Sequence, residues 1–336
     1  MAAGRLSFSA FVLLSIVSAF TIDAKAQQMR KLYHLPSIPL PDAVSDPDTL
    51  YCPNALFKLY PCNPPRPPAH EQCMYTQESL LLEKTSGLYL ASLAHVVPLP
   101  SSTEPPSTLT LHEKLCGGFR EERVTHVWTA TVDSQPVIAK IFDPLYFIDP
   151  YEGTDPFPLL DLSVSREAEA YRRLAPLQAT QVPRCRGLFV SPLPSQGNRT
   201  VYVLLLEHVA GQDVRYLVPT STSPSLCLVH RTAIVDAAVN VFYDILMCGV
   251  KQRDMAPRNL IIRPPKPSGA PFCDKEDCPV RCSVDPDNVE SVMIDFEGSE
   301  LWDPDHEFYD EQTREREMRA LREEYMEDWW YGKYGI

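Results

Sequence analysis

Two hydrophobic periodicities alternate along the chain from residue 109 onward. Residues 123–131 alternate apolar and polar positions and are rich in Val, Thr and Trp, a pattern that predicts a half-buried strand. Residues 137–142 predict the next strand, and the uninterrupted apolar run at 201–206 is typical of a strand buried on both faces. Residues 160–174 predict a helix between these strands.

The second half of the chain is predicted to contain two helices, two short strands and a loop. Residues 226–250 carry apolar side chains at helical spacing, which predicts one long helix with a wide apolar face. The short apolar runs at 260–262 and 292–294 predict two strands that pair with each other. Residues 264–288 between them are polar and rich in proline, so we interpret them as an inserted loop. Residues 312–330 predict a charged helix.

Proline separates the first third of the chain from the rest. The sequence has 33 prolines, about twice the average usage, and many lie between Pro36 and Pro106. Residues 27–107 are therefore predicted to form an N-terminal extension made largely of loops. Within it, residues 78–82 predict a short helix and residues 87–97 a strand.

The first 26 residues have the layout of a secretory signal peptide. Arg5 precedes an apolar run at residues 10–20, which is followed by the small-x-small site Ala24, Lys25, Ala26. This pattern predicts entry into the secretory pathway or secretion. The alternative is an apolar tail on a cytoplasmic protein. The apolar run is too short to span a bilayer, and we expect no transmembrane segment.

Composition indicates an acidic globular protein. The chain has 336 residues, 44% of them hydrophobic, which is enough for one large or two small domains. Its formal net charge is −13, and much of that charge lies in residues 301–336. Because an acidic protein repels phosphate backbones, we expect no nucleic-acid partner.

The ten cysteines allow several interpretations. Cys273, Cys278 and Cys282 lie in one short loop and could bind Zn²⁺ with Asp274 or another residue as the fourth ligand. Disulfides in an oxidising compartment and free thiols are the alternatives.

A lysine at the end of an apolar strand and an acid on the following helix form the first candidate site. Val137 to Lys140 reads V-I-A-K, and a cation at this position can neutralise phosphate charge. Glu167 is the predicted ion-pair partner of Lys140, with Glu169 as the alternative. Only one of the two acids can face the lysine, because they are two residues apart on one helix.

The second candidate site combines two aspartates with an asparagine. Asp254 follows Arg253 and precedes Asn259 by five residues, and Asp295 ends the apolar run at 292–294. An aspartate within reach of a hydroxyl can accept its proton. The oxygens of Asn259 and Asp295 suit Mg²⁺, which prefers hard ligands.

These motifs resemble those of the protein-kinase-like superfamily. The likeness is to short kinase-like proteins common in fungal genomes and, more remotely, to aminoglycoside-phosphotransferase-type kinases. It implies an α+β, two-lobed protein-kinase-like fold with a shortened helical C-lobe. The implied kinase-like domain is 108–336: an N-lobe at 108–206, a C-lobe at 207–300 and an acidic C-terminal helix at 301–336.

The resemblance implies that ATP lies between the lobes with Mg²⁺ on its phosphates. The adenine would lie against a hinge that includes Glu207 and Val209. Gly117 and Gly118 could bring backbone N–H groups close to the phosphates, although the same pair could form a plain turn. Lys140 would bind the α- and β-phosphates.

The remaining implied roles belong to the two-aspartate site. Asp254, beside Arg253, would act as the catalytic base, while Asn259 and Asp295 would bind the metal. The acceptor would be a hydroxyl on a protein or a small molecule.

The sequence departs from the kinase pattern at several positions. Gln252 replaces the usual His of the catalytic loop, and Glu297 replaces the Gly that follows the metal-binding Asp-Phe. There is no A-P-E segment, and only 38 residues follow Gly298. A pseudokinase or nucleotide-binding interaction protein without transfer activity is therefore the alternative function. A secreted, disulfide-stapled protein with coincidental motifs is the third interpretation.

Overall fold

The structure is a computed structural model in which most residues from Leu50 to Trp330 are described. The N-terminal signal-like segment and Gly118 lie outside the described residues. The described ranges are 50–68, 73–95, 97–100, 105–117, 125–146, 153–217, 226–266, 270–303 and 311–330.

Six antiparallel strands close into a barrel in the order β1-β2-β3-β4-β6-β5. Closure occurs because β1 pairs with β2 on one side and with β5 on the other. The strands at 123–131, 137–142 and 201–206 predicted from the sequence correspond to β3, β4 and β6. The strand bounds are β1 Leu56–Pro61, β2 Ser107–Cys116, β3 Thr125–Val132, β4 Gln135–Phe142, β5 Cys185–Leu193 and β6 Arg199–Glu207.

Strand β6 separates two hydrophobic cores. Successive side chains of a strand point to opposite faces, so Val203 and Leu205 pack inside the barrel, whereas Leu204 and Leu206 join the helical core. Both faces of β6 are thus buried, which explains its continuous apolar sequence.

A buried ion pair stabilises one end of the barrel. Asp143, just after β4, receives two hydrogen bonds of 2.7 Å from the guanidinium of Arg199 on β6, and both side chains are fully buried. Tyr51 donates a further hydrogen bond of 2.6 Å to Asp143, and Gln196 accepts one of 2.6 Å from Arg199. Burial acts to raise the pKa of Asp143, but Arg199 and these hydrogen bonds overcome it and hold that pKa below its usual range.

The predicted N-terminal extension contributes directly to the folded domain. Strand β1 lies within residues 27–107 and closes the barrel. The boundary predicted after residue 107 would therefore separate β1 from the sheet to which it belongs. The strand predicted at 87–97 is wrong. Residues Gln77–Ala94, labelled α1, are helical on both sides of Gly87, whose own backbone (φ 77°, ψ 162°) is not helical and makes a kink between the two helical segments.

Four further helices complete the described structure. Helix α2 begins after the N-cap Asp155 with proline at its first position, and Leu160 and Val164 on its inner face belong to the same core as Leu204 and Leu206 of β6. The charged helix predicted at the C-terminus is present and buries Met318 and Trp329 against α4. Among the described residues, no helix is long and apolar enough to cross a membrane. The helices are α2 Pro156–Arg173, α3 Val214–Leu217, α4 Leu228–Met247 and α5 Glu311–Trp330.

Two small sheets carry the loops of the candidate site. Strands β9 and β10 pair antiparallel as predicted, with Leu260 opposite Met293, and β7 extends this sheet. Strands β8 and β11 form a separate pair. Their bounds are β7 Gln212–Asp213, β8 Val250–Lys251, β9 Leu260–Ile262, β10 Ser291–Met293 and β11 Glu300–Leu301.

Candidate active site

Lys140 lies at the centre of a cluster of acids between the barrel and the helical core. Its strand neighbours Ala139 and Ile141 point into the barrel, so the period of the strand turns Lys140 toward the helices. There its Nζ lies 2.8 Å from Glu167 Oε2, 2.7 Å from an oxygen of Asp295, and 3.1 Å from an oxygen of Glu297. Because these carboxylates meet at Lys140, the candidate site links three elements that are distant in sequence.

Helix α2 turns Glu167, and not Glu169, toward Lys140. Glu167 is fully buried on the inner face of the helix. Glu169 lies on another face, where hydrogen bonds from Arg172 and Arg173 lower its pKa to about 2. Of the two acids considered from the sequence, only Glu167 contacts the lysine.

The cluster has more negative than positive charge. Burial acts to lower the pKa of Lys140, but Asp295, Glu167 and Glu297 raise it well above its usual range, so the amine stays charged. Burial raises the pKa of Glu167, and repulsion from Asp295 and Glu297 adds to that increase, while Lys140 offsets part of it. One oxygen of each of the three acids lies within 4.8 Å of the others, so together they could also hold a cation.

Asp295 occupies a left-handed turn two residues after the end of β10. Its φ is 68°, a conformation that aspartate adopts more readily than most residues. The next side chain, Phe296, is fully buried and packs edge-on against Tyr171 of α2, with ring centroids 5.4 Å apart. This packing fixes the turn that presents Asp295 to Lys140.

Gln252 connects the Asp295 turn to the loop that carries Asp254. Its Nε2 donates to the carbonyl oxygens of Asp295 (2.8 Å) and Ile294 (3.2 Å). Its Oε1 accepts from the backbone N–H groups of Arg253 (2.9 Å) and Asp254 (3.2 Å). From the sequence Gln252 was only a departure from a motif, whereas in the structure it is a buried positioning residue.

Asn259 and Asp254 form a local unit within the same loop. Asn259 Nδ2 donates to the carbonyl oxygen and to a carboxylate oxygen of Asp254, both at 3.0 Å. The carbonyl oxygen of Asn259 accepts from the N–H of Ile294 at 2.9 Å, so Asn259 lies beside the chain that leads into Asp295. Arg258 forms an ion pair with Asp254.

Arg253, a predicted catalytic residue, lies to one side. Its half-exposed guanidinium forms an ion pair with Glu300 of β11. It also lines a cavity of about 920 Å³ together with Arg166 and Glu169 of α2 and with Gly298. The described contacts therefore associate Arg253 with this cavity rather than with the lysine cluster.

Besides Lys140, the structure describes three of the four predicted nucleotide-binding positions. Gly117 has φ 94°, and an added Cβ would come within 1.9 Å of the Thr125 carbonyl oxygen, so strand packing alone requires glycine there. Gly118 lies outside the described residues. Glu207 ends β6, where its carboxylate accepts the N–H of Arg184 at 3.0 Å, and Val209 just beyond it is buried.

Comparisons with known proteins find remote structural likeness only. No protein-family model matches this chain, and no curated protein matches its sequence. One similar solved structure is described as WaaP in complex with acyl carrier protein, with 15% identity over 74% of this chain and 78% of that chain, at a TM-score of 0.37. Another is the autoinhibited serine kinase domain of the giant muscle protein titin, with 13% identity over 57% of this chain and 46% of that chain, at a TM-score of 0.36. Scores this low carry no argument about activity.

Proposed function

We propose that this chain is a phosphotransferase that uses ATP and Mg²⁺ to phosphorylate a hydroxyl group on a protein or a small molecule. One observation carries the proposal. The buried pair of Lys140 and Glu167 meets Asp295, and Gln252 ties the Asp295 turn to the loop of Asp254 and Asn259. A phosphate-binding cation, metal-binding oxygens and a candidate base are thereby linked in one site.

The donor atoms around Asp295 fit Mg²⁺. Asn259 donates through its Nδ2 to Asp254, which leaves its side-chain oxygen as the atom suited to a metal. Asp295 supplies a carboxylate, and hard oxygen ligands of this kind suit Mg²⁺. Bound Mg²⁺ would neutralise charge on the phosphates of ATP.

Lys140 supports the proposal because its ammonium group is already positioned. Glu167 holds the amine at 2.8 Å, and the lysine stays protonated. An incoming α- or β-phosphate could replace Glu297 on the ammonium while Glu167 stays in place. Glu297 suits this exchange because it is partly exposed, whereas Glu167 is fully buried.

Asp254 is the candidate base for the acceptor hydroxyl. Its carboxylate is about two-fifths exposed and can be reached by an acceptor from solvent. The two hydrogen bonds from Asn259 hold the loop around it, which would orient the carboxylate toward the attacking oxygen. The acceptor must displace Arg258 from that carboxylate or bind beside it.

A second candidate function is nucleotide binding without transfer. Two contacts favour it: Glu297 competes with phosphate for Lys140, and Arg258 covers Asp254. In that case the fold would present a nucleotide-dependent surface to a partner and would not catalyse a reaction.

ATP turnover by the purified chain with Mg²⁺ tests the proposal, first without an acceptor and then with a panel of proteins and small alcohols. The key variant is Asp254→Ala. Asp236→Ala is the matched control, because Asp236 is 42% exposed and paired with Arg322, much as Asp254 is 41% exposed and paired with Arg258. We expect Asp254→Ala to abolish turnover and Asp236→Ala to retain it.

Thermal stability measured with ATP, with and without Mg²⁺, separates the two candidate functions. Metal-dependent stabilisation that Asp295→Ala removes, together with turnover, supports the phosphotransferase. Stabilisation without turnover on any acceptor supports the binding function. Equal turnover by the wild type and Asp254→Ala would remove Asp254 as the base, and the absence of any nucleotide effect would contradict both functions.

A further inference from the structure

Three cysteines and a histidine converge at the start of helix α4, away from the lysine cluster. Cys227 is the N-cap residue of the helix and His230 lies in its first turn, while Cys273 and Cys278 come from the loop between β9 and β10. The three sulfur atoms and one ring nitrogen of His230 all lie within 4.8 Å of one another. We propose that these four residues form a structural Zn²⁺ site.

The two distances known at His230 lie near the ligand spacing around a tetrahedral ion. Bonds of about 2.3 Å to sulfur and about 2.0 Å to nitrogen separate the ligand atoms of tetrahedral zinc by roughly 3.5 to 3.8 Å. In this cluster, His230 Nδ1 lies 3.1 Å from Cys227 Sγ and 3.5 Å from Cys278 Sγ. An ion at the centre would therefore require only small side-chain adjustments.

The backbone fixes His230 in the form that binds a metal. Its Nε2 lies 3.0 Å from the carbonyl oxygen of Val284, which can only accept a hydrogen bond. Nε2 therefore carries the hydrogen, and Nδ1 presents its lone pair to the sulfur atoms. A hydrogen bond from the second ring nitrogen to a carbonyl is the usual support of a zinc-bound histidine. His230 is fully buried, so this orientation is well constrained.

Thiol hydrogen bonds are the competing explanation, and the geometry disfavours them. The single lone pair on Nδ1 can accept one good S–H hydrogen bond, yet two sulfur atoms lie at hydrogen-bonding distance from it. Among the described residues, Cys273, the third sulfur, makes one long hydrogen bond, of 3.8 Å, to the Lys275 carbonyl oxygen. A metal would satisfy all four groups at once.

The sequence had placed a possible zinc ligand set within the loop alone. In the structure Cys282 is exposed and lies outside the cluster, so it is not a ligand, and neither is Asp274. Among the described residues the ten cysteines form no disulfide, which leaves these thiols available for metal. Cys227-x2-His230 and Cys273-x4-Cys278 are two short chelating pairs of the kind that structural zinc sites use.

Four protein ligands would close the coordination shell, so the site is structural and not catalytic. It would fasten the loop between β9 and β10 to the N-terminus of α4. The described parts of that loop, 263–266 and 270–290, contain no helix or strand, although two loop residues, Val280 and Val284, are themselves buried. The loop runs from β9, which follows Asn259, to β10, which leads into Asp295. Zinc bound at the loop would therefore also limit the movement of these two candidate active-site residues. The zinc proposal does not depend on the proposed function.

Elemental analysis of the full chain, prepared without a histidine tag and dialysed against metal-free buffer, tests the site. We expect one zinc per chain, released when a mercurial reagent modifies the thiols. Replacement by Co²⁺ should give the visible bands of tetrahedral cobalt and thiolate charge-transfer bands in the ultraviolet. A folded wild-type chain that retains no zinc and shows no such cobalt spectrum would overturn the proposal.

Variants locate the metal. His230→Ala and Cys278→Ser should each lose zinc and lower the Tm, whereas Cys282→Ser and Asp295→Asn should keep one zinc per chain. The Asp295 variant excludes binding at the acidic cluster around Lys140. Zinc retained by His230→Ala, or lost equally from Cys282→Ser, would assign the metal elsewhere. If His230→Ala does not fold, the wild-type cobalt spectrum and thiol-linked release still decide the question.

Discussion

The arrangement of three acids around one lysine predicts unequal costs for removing either partner of the central ion pair. Lys140→Met would leave Glu167 buried beside Asp295 and Glu297 without a cation. Breaking a buried pair in this way typically costs about 3 to 5 kcal/mol. Glu167→Gln would leave Lys140 with the carboxylates of Asp295 and Glu297. It would also remove the repulsion between Glu167 and those two carboxylates. We therefore expect it to cost less than about 2 kcal/mol, on the scale of one charge-assisted hydrogen bond.

Urea unfolding near neutral pH measures both costs, provided that the m-values stay equal. Lys58→Met controls for the introduced methionine, since Lys58 is an exposed lysine on β1. The penalty of Lys140→Met should shrink as pH falls. Burial and the neighbouring acids raise the pKa of Glu167, so the folded variant binds more protons than the unfolded chain and gains stability toward acid. Equal costs for the two variants, or a penalty independent of pH, would refute the reasoning.

Two further predictions concern buried hydrogen bonds. Because Arg199 holds the pKa of Asp143 below its usual range, the pair should stabilise the fold above roughly pH 4 and lose this effect as pH falls through the lowered pKa. In urea unfolding followed by circular dichroism, Asp143→Asn should lower the free energy of unfolding by about 3 to 5 kcal/mol at neutral pH and by less in acid. A difference between the variant and the wild type that does not change with pH would contradict the assignment. Gln252→Ala removes four hydrogen bonds that join the Asp254 and Asp295 loops and should cost on the order of 2 to 4 kcal/mol in urea unfolding. It should also reduce Mg²⁺-dependent stabilisation by ATP, and an unchanged response would show that Gln252 does not position the loops.

Local periodicity was sufficient to predict the elements that position Lys140 and Asp295. The apolar runs of β4 and β10 identify the strands that carry Lys140 and lead into Asp295. The continuous apolar run of β6 and the long, largely apolar helix α4 likewise have patterns set by their own burial. The choice between Glu167 and Glu169 needed the structure, because both lie within one turn of α2 and only packing decides which faces inward.

Features that depend on distant partners could not be predicted in the same way. Strand β1 is short and flanked by prolines, and its pairing partners lie about 50 and 130 residues further along the chain. His230 sits on a largely apolar helix, more than 40 residues before Cys273, so no short motif connects them. Gln252 acts through backbone carbonyls and N–H groups, which leave no residue-specific pattern in the sequence.

The closure of the barrel by β1 has a consequence for how the chain can be shortened. A closed sheet presents no unpaired edge, and here a six-residue strand completes it between β2 and β5. A chain cut at residue 107, where composition changes, would lose that strand and expose two rows of unpaired backbone groups at once. Open edges of this kind recruit strands from other molecules, so the shortened chain would tend to self-associate. Strand β1 thus covers two sheet edges that would otherwise be open to such pairing.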